Sequence, residues 1–193
     1  MRIIDISRPL QKAPKYPTAP DTVLTQISFT EKGDDSNFTL VSTNTHAGTH
    51  VDAKRHFVTG GTGIGDMDLS IYYGPCRVIT VPENCLLTKA DLAGRIEGAE
   101  RVCLHGGGYT YLTEEAAEYI VSCGIRCLVT DGWSPAPLDN EKAIHRALLL
   151  ADVGIVENVT LEGVEDGEYT LIAFPCNYGE CDGAPARAVL IAK

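Results

Sequence analysis

"RVCLHGGGYTYLTEEAAEYIVSCGIRCLVTDG", Arg101 to Gly132, reads as strand, helix, strand. "RVCLHG" and "IRCLVTDG" are short apolar runs closed by glycine, as buried strands are. Between them, "TEEAAEYIVSCG" opens on a capping threonine with early glutamates, keeps apolar residues at helical spacing and closes on Gly124.

On the C-terminal side, "DNEKAIHRALLLADVG" is a second amphipathic helix ending at a glycine, and "IVENVTL", "EYTLIAFPCNY" and "PARAVLIAK" read as strands. On the N-terminal side, "PCRVITVP" is a strand, and "TKADLAGR" is a short helix with Thr88 as its N-cap. "RIIDIS" opens the chain as a strand, and "PLQKAPKYPTAPDT" is too rich in proline to be helical. "VLTQISFT" and "NFTLVSTNT" alternate apolar and polar residues like half-buried strands and form a long hairpin around "EKGDDSN". No repeat or linker divides the chain. The expectation is one mixed α/β domain over residues 1–193, a part-parallel sheet with helices and a hairpin at each end.

Composition narrows the function. A formal charge of −10 with no cluster of Lys and Arg argues against nucleic acid and against an anionic membrane surface. "MRIIDISRPL" is too short and too charged for a signal peptide, and no apolar run approaches the ~20 residues of a membrane span. A cytoplasmic protein acting on a small molecule is expected. The seven cysteines lack zinc-knuckle spacing and read as small buried hydrophobes in a reducing compartment.

Chemistry concentrates in "THAGTHVDAKRHF", Thr45 to Phe57, which holds His46, His50 and His56, three of the five histidines, together with Asp52. Neutral imidazoles and carboxylates are ligands for zinc and similar divalent ions. In extended backbone His50 and Asp52 share a face, and Gly48 lets the chain fold so that His46 joins them. Three N/O ligands with a position left for water is the pattern of a catalytic metal site. His56 is then spaced to act as general base beside it. Two further residues bear on this reading. Glu157 lies in the apolar run "GIVENV", where a carboxylate needs a partner or a cation unless the strand ends at the surface. His145 lies on the second helix, and the fold can bring the two together or leave His145 on the helix surface.

"HAGTHVDAKRHF" resembles the H-x-G-T-H-x-D-x-P-x-H signature of the metal-dependent cyclase/kynurenine formamidase family, which includes isatin hydrolases. "IIDISRPL", "YPTAPD", "LTEEAAEYIVSCGIRCLVTDGWSP", "HRALLLADVGIVENVTL" and "GAPARAVLI" resemble its other segments in the same order. The resemblance implies a swivelling β/β/α fold, assembled as homodimers or homotetramers. It implies His46, His50 and Asp52 as ligands of a first metal, and Asp52, His145 and Glu157 as holding a second. His56 matches the proton acceptor or donor. The cofactor expected is Zn²⁺, one or two ions per subunit, with Mn²⁺ as alternative and Fe²⁺ compatible with the same donors.

The chain also departs from the family pattern. The signature proline is Lys54, followed by Arg55, two cations that either meet an acidic substrate group or point to solvent. The Trp-Pro-Gly-Asp segment of kynurenine formamidases, whose tryptophan contacts substrate, is Tyr16-Pro17-Thr18-Ala19, which makes Tyr16 the candidate substrate-binding residue. The L-x-R-T segment is Leu104-His105-Gly106-Gly107, with His105 either lining the pocket or structural. The implied reaction is arylformamidase-like hydrolysis of an amide or cyclic amide, as in tryptophan catabolism. Water is activated by the metal and His56 handles protons. A lyase, cyclase or lactone hydrolase would use the same parts, and an inert metal-binding module is the non-enzymatic alternative.

Overall fold

Arg101–His105 and Cys127–Thr130 pair in parallel with Cys103 opposite Val129, as the strand-helix-strand reading predicts. The computed structural model describes residues 1–192. In chain order the elements are β1 (Arg2–Asp5), β2 (Val23–Ser28), β3 (Phe38–Ser42), β4 (His50–Asp52), β5 (Tyr73–Thr80) and β6 (Leu86–Leu87). They continue with α1 (Lys89–Leu92), β7 (Arg101–His105), β8 (Tyr111–Leu112), α2 (Glu114–Ser122) and β9 (Cys127–Thr130). The last are α3 (Glu141–Leu150), β10 (Gly154–Glu157), β11 (Gly167–Pro175) and β12 (Gly183–Ala192).

Eight strands form the main sheet in the order β1-β12-β11-β5-β7-β9-β10-β4. β5, β7, β9 and β10 are parallel neighbours, and the remaining pairs are antiparallel. β4 also pairs with Gly183–Pro185 at the start of β12, so the ladder closes on itself as a barrel. β1 continues the same edge of β12, from Val189 to Ala192.

Strand alternation sorts two cores. Cys76, Val78, Cys103, Cys127, Val129, Val156, Leu171 and Ala188 pack inside the barrel. Ile79, Val102, Leu104, Leu128 and Ile155 face outward and are covered by Ala116, Ala117 and Ile120 of α2 and Ile144, Leu148 and Leu149 of α3. The helices start where the sequence predicts. The Thr113 side chain accepts the Ala116 N–H, and Asp91 accepts the Thr88 N–H at 2.7 Å.

Four expectations change. The hairpin β2–β3 forms, but every residue of β3 is exposed and the pair is a separate two-stranded sheet, because neither strand joins the barrel ladder. The strand read in "IVENVTL" ends at Glu157. Asn158 adopts φ 62°, a conformation asparagine tolerates, and the chain turns away there, with the Asn158 N–H on Gly132 O and its side-chain amide on Pro14 O. α1 is one turn only, because Ala93 already leaves the helix at φ −61°, ψ 134°, followed by Gly94 at φ 80°. Cys76, Cys103 and Cys127 are buried as expected, but Cys176 and Cys181 are exposed in the β11–β12 connection, outside either core. The strand read in "PARAVLIAK" is β12, and its final Lys193 lies outside the described residues.

Candidate active site

β4 is three residues long, and its two-residue period turns Val51 into the barrel and His50 and Asp52 outward. Antiparallel register sets Glu157 of β10 opposite His50, and Ile155 opposite Asp52. α3 crosses this outer face and adds His145. His50 Nε2 lies 3.0 Å from Glu157 Oε2 and 3.6 Å from Asp52 Oδ1. His145 Nε2 lies 3.3 Å from Glu157 Oε1 and 3.6 Å from Asp52 Oδ2. All four side chains are buried.

Backbone carbonyls set the orientation of both rings. His50 Nδ1 meets Gly48 O at 2.8 Å and His145 Nδ1 meets Glu141 O at 2.8 Å. A carbonyl only accepts, so each Nδ1 carries a hydrogen and each Nε2 is offered to the carboxylates. Burial works to lower the His145 pKa, but the Glu157 hydrogen bond and the charges of Glu157 and Asp52 outweigh it and raise the value.

His46 reaches the same place by a turn. Gly48 sits at φ 65°, a left-handed conformation that favours glycine, and a Cβ there would press on Leu10 Cδ2 at 3.0 Å. The turn brings His46 Nδ1 to 3.0 Å from Asp52 Oδ1, while Nε2 lies 3.0 Å from Asp182 Oδ2. Burial alone would lower the His46 pKa. Hydrogen bonds that the ring donates to Asp182 and Asp52 prevail and push it up to about 10. The Asp52 carboxyl is held well below its usual range: burial opposes this, but the His46 hydrogen bond and the surrounding imidazoles win. Asp182 is likewise low, chiefly through its His46 hydrogen bond.

His56 ends a short 3-10 turn and stacks on His46 at 3.9 Å, with Nδ1 3.3 Å from Asp182 Oδ2. Burial lowers its pKa below the ordinary imidazole value, and His46 adds to the effect against the pull of Asp52. Burial thus favours its neutral form.

Two groups of donor atoms result, each within a mutual 4.8 Å: His50, Asp52 and Glu157, and His46, Asp52 and His56. Asp52 belongs to both, as the sequence resemblance implies, but its partners are distributed differently. Strand register fixes His50 against Glu157, while Asp182 draws His46 toward His56. The first group fits a divalent cation. His50 Nε2 and Asp52 Oδ2 are buried with no hydrogen-bond partner among the described residues. Such atoms are costly unless something electropositive sits between them. Imidazole nitrogens and carboxylate oxygens are the donors that suit zinc, manganese or iron.

A cleft of about 460 Å³ opens over these residues, lined by His46, His56, His145 and Glu157 together with Tyr16, Trp133 and Glu141. The Tyr16 hydroxyl donates to Glu141 Oε2 at 3.0 Å, and the Tyr16 and Trp133 rings meet edge-to-face at 5.3 Å. Phe57 stacks on His145 at 4.3 Å. Burial raises the Glu141 carboxyl above its usual value, against the Tyr16 hydrogen bond.

The remaining candidates lie elsewhere. Lys54 pairs with Asp152 at 2.6 Å and Arg55 with Glu180, so neither cation lines the cleft. His105 does not line it either. The glycines after it serve the fold: the N–H groups of Gly106, Gly107 and Gly108 all donate to the Asp131 carboxylate, fixing the loop that carries Trp133. Sequence reasoning missed three residues, Trp133, Glu141 and Asp182. Trp133 is the only tryptophan, set just past an apolar strand, and that position was a usable signal. Asp182 precedes "GAPARAVLI" with nothing local to mark it.

The cyclase family model, described as "Putative cyclase", matches residues 4–137. A Bacillus cytotoxicus protein named kynurenine formamidase is 36% identical over 97% of this chain and 96% of its own length. A Bacillus anthracis protein of the same name is 34% identical over the same shares. Among solved structures, a "predicted metal-dependent hydrolase" from Bacillus stearothermophilus superposes with a TM-score of 0.83 at 26% identity, covering 98% of this chain and 97% of that one. Isatin hydrolase A from Ralstonia solanacearum, at 18% identity, shares the fold with a TM-score of 0.84 over 99% of this chain and 92% of its own. Matched along nearly its whole length, this chain belongs to the cyclase/kynurenine formamidase family.

Proposed function

We propose that the protein is a metal-dependent amidohydrolase that cleaves the C–N bond of an aryl formamide or a cyclic amide. The observation that carries this reading is the pair of buried atoms without a hydrogen-bond partner, His50 Nε2 and Asp52 Oδ2, set behind His46, His145 and Glu157, which line an aromatic-walled cleft. His50, Asp52, His145 and Glu157 would hold the cation, with His46 on the cleft side of Asp52. Zinc is the first expectation and manganese the second, as one or two ions. A divalent ion, when bound, supplies a Lewis acid for the carbonyl and lowers the pKa of water to about 7.

The chain's own residues do the rest. Burial favours the neutral form of His56, which lines the cleft, so it takes a proton from the attacking water and returns it to the departing nitrogen. With Nδ1 facing Asp182, Nε2 is the nitrogen that exchanges this proton. Asp182 steadies the imidazolium formed midway. Tyr16, Trp133 and Phe57 offer apolar surface to an aryl group and limit the water around the reacting carbonyl.

This reading takes residues 1–193 as one unit, working in the cytoplasm, in tryptophan catabolism or a related aryl-amide route. No helix among the described residues is long and apolar enough to cross a membrane. Assembly as a homodimer or homotetramer is supported by the β2–β3 hairpin, which exposes Val23, Leu24, Ile27, Phe38, Leu40 and Val41. A two-stranded hairpin is marginal alone in water, and here Val23, Phe38 and Leu40 share one face while Leu24 and Val41 share the other, so both faces offer apolar surface to a partner. The functional test is release of formate from N-formyl aryl amines by zinc- or manganese-loaded protein. Absence of turnover on aryl formamides, isatin and simple cyclic amides alike overturns the assignment. A monomer by light scattering overturns the assembly.

A further inference from the structure

Beyond the apolar surface it offers an aryl group, the cleft carries one acid to which the hydrolytic steps give no role, Glu141, one helical turn before His145. Trp133 is flanked by Tyr16 at 5.3 Å and Tyr111 at 5.9 Å, and its loop is fixed by the three glycine N–H groups on Asp131. Beside it, Glu141 Oε2 accepts the Tyr16 hydroxyl, which orients the carboxylate and leaves Oε1 for another donor. The residues lining the cleft include three acids, Glu141, Glu157 and Asp182, and among them no lysine or arginine. Of the cations nearest in sequence to Tyr16 and Glu141, Lys15 pairs with Asp21, Arg146 donates to Phe57 O, and Lys142 is exposed and does not line the cleft. A substrate carboxylate placed against Trp133 would be partly desolvated and would face Glu141 with no lysine or arginine lining the cleft to offset it. An ammonium group there would be paired.

We infer that Glu141 is the specificity-determining residue of this cleft, pairing with a cationic amine on the side chain of an aryl amide and discriminating against a carboxylate at the same position. The inference rests on the amidohydrolase reading for its reaction, but it is testable by binding alone. Trp133 is the only tryptophan and lies in the cleft, so its fluorescence reports occupancy whether or not turnover follows. The probes are three ortho-acyl anilines whose side chains end in an ammonium, a methyl or a carboxylate group.

The metal-loaded protein should bind the ammonium probe about tenfold more tightly than the methyl probe, and the carboxylate probe about tenfold more weakly. Glu141→Gln can still accept the Tyr16 hydroxyl and should bring both ratios close to one. Ratios taken within each variant cancel any loss of folded protein. Ratios near one in the unaltered protein overturn the inference, as does preference for the carboxylate probe or ratios unchanged by Glu141→Gln. Discriminating binding without hydrolysis of the corresponding N-formyl compounds supports the inference and defeats the amidohydrolase reading instead.

Discussion

Glu157 stands directly opposite His50 across the β4–β10 ladder, with Oε2 3.0 Å from His50 Nε2. That nitrogen is turned inward by the Nδ1 contact with Gly48 O, and it approaches the carboxylate without hydrogen-bond geometry. Glu157→Gln keeps the shape and removes the charge. Cation affinity should fall by roughly 100-fold, at least the loss typical of outer-shell changes. Metal content after dialysis against a weak chelator measures it, and an unchanged stoichiometry would remove Glu157 from the ligand set.

His56→Ala should leave the metal content near that of the parent while lowering kcat by roughly 10²- to 10⁴-fold, the usual contribution of a general base. Full turnover with the metal retained would take the proton-transfer role away from His56.

Asp182→Asn keeps the contact with His56 but loses the charge that steadies its protonated form. The expectation is a drop of about tenfold in kcat with KM little changed, and recovery in part by Asp182→Glu. A change confined to KM would mean that Asp182 meets substrate instead.

Stability of the chelator-treated protein should depend on His46. Its pKa is about 10 in the folded chain, against an ordinary imidazole value of 6.5. A raised folded-state pKa contributes stability that is complete below pH 6.5 and is lost as pH rises through 10. Between pH 7 and 10 the melting temperature should fall by roughly 5 °C, which is ~2 kcal/mol at the ~2–4 °C per kcal/mol of a chain this long. His46→Gln should flatten that decline. A melting temperature equally steep in both proteins would assign the effect to other groups.

Gly183 opens β12 against the site, and a Cβ there would stand 2.8 Å from His46 Cε1 and 2.9 Å from Val51 O. The backbone oxygen cannot yield cheaply, so Gly183→Ala should cost about 1–3 kcal/mol and displace the His46 ring. Thermal melting together with metal content tests it. An unaltered melting temperature would show that the strand accommodates the methyl group.

Much of this was legible in the chain itself. The helices at 114–122 and 141–150 announce themselves by periodicity and caps, and the parallel pairing follows from the strand-helix-strand order. His50 and Asp52 share a face because strands alternate, and Gly48 turns His46 as its spacing suggests. The rest depends on register and closure, which are set by long-range pairing. Nothing near Asp182 tells that β12 will return it to His46. Nothing near Glu141 shows that Tyr16 will meet it from the proline-rich loop. The hairpin's alternation promised burial, but alternation records only which residues share a face, and within one chain both faces stay largely exposed.

A divalent cation held around Asp52 should be what makes amide hydrolysis in this cleft possible. The most direct test strips the protein with chelator, restores zinc or manganese stepwise, and follows bound metal and formate release from an N-formyl aryl amine in the same samples. The account predicts no turnover without metal and turnover rising in proportion to bound ion, with Asp52→Asn neither binding nor turning over. Equal turnover in the metal-free protein, or stoichiometric metal with no turnover, would contradict it.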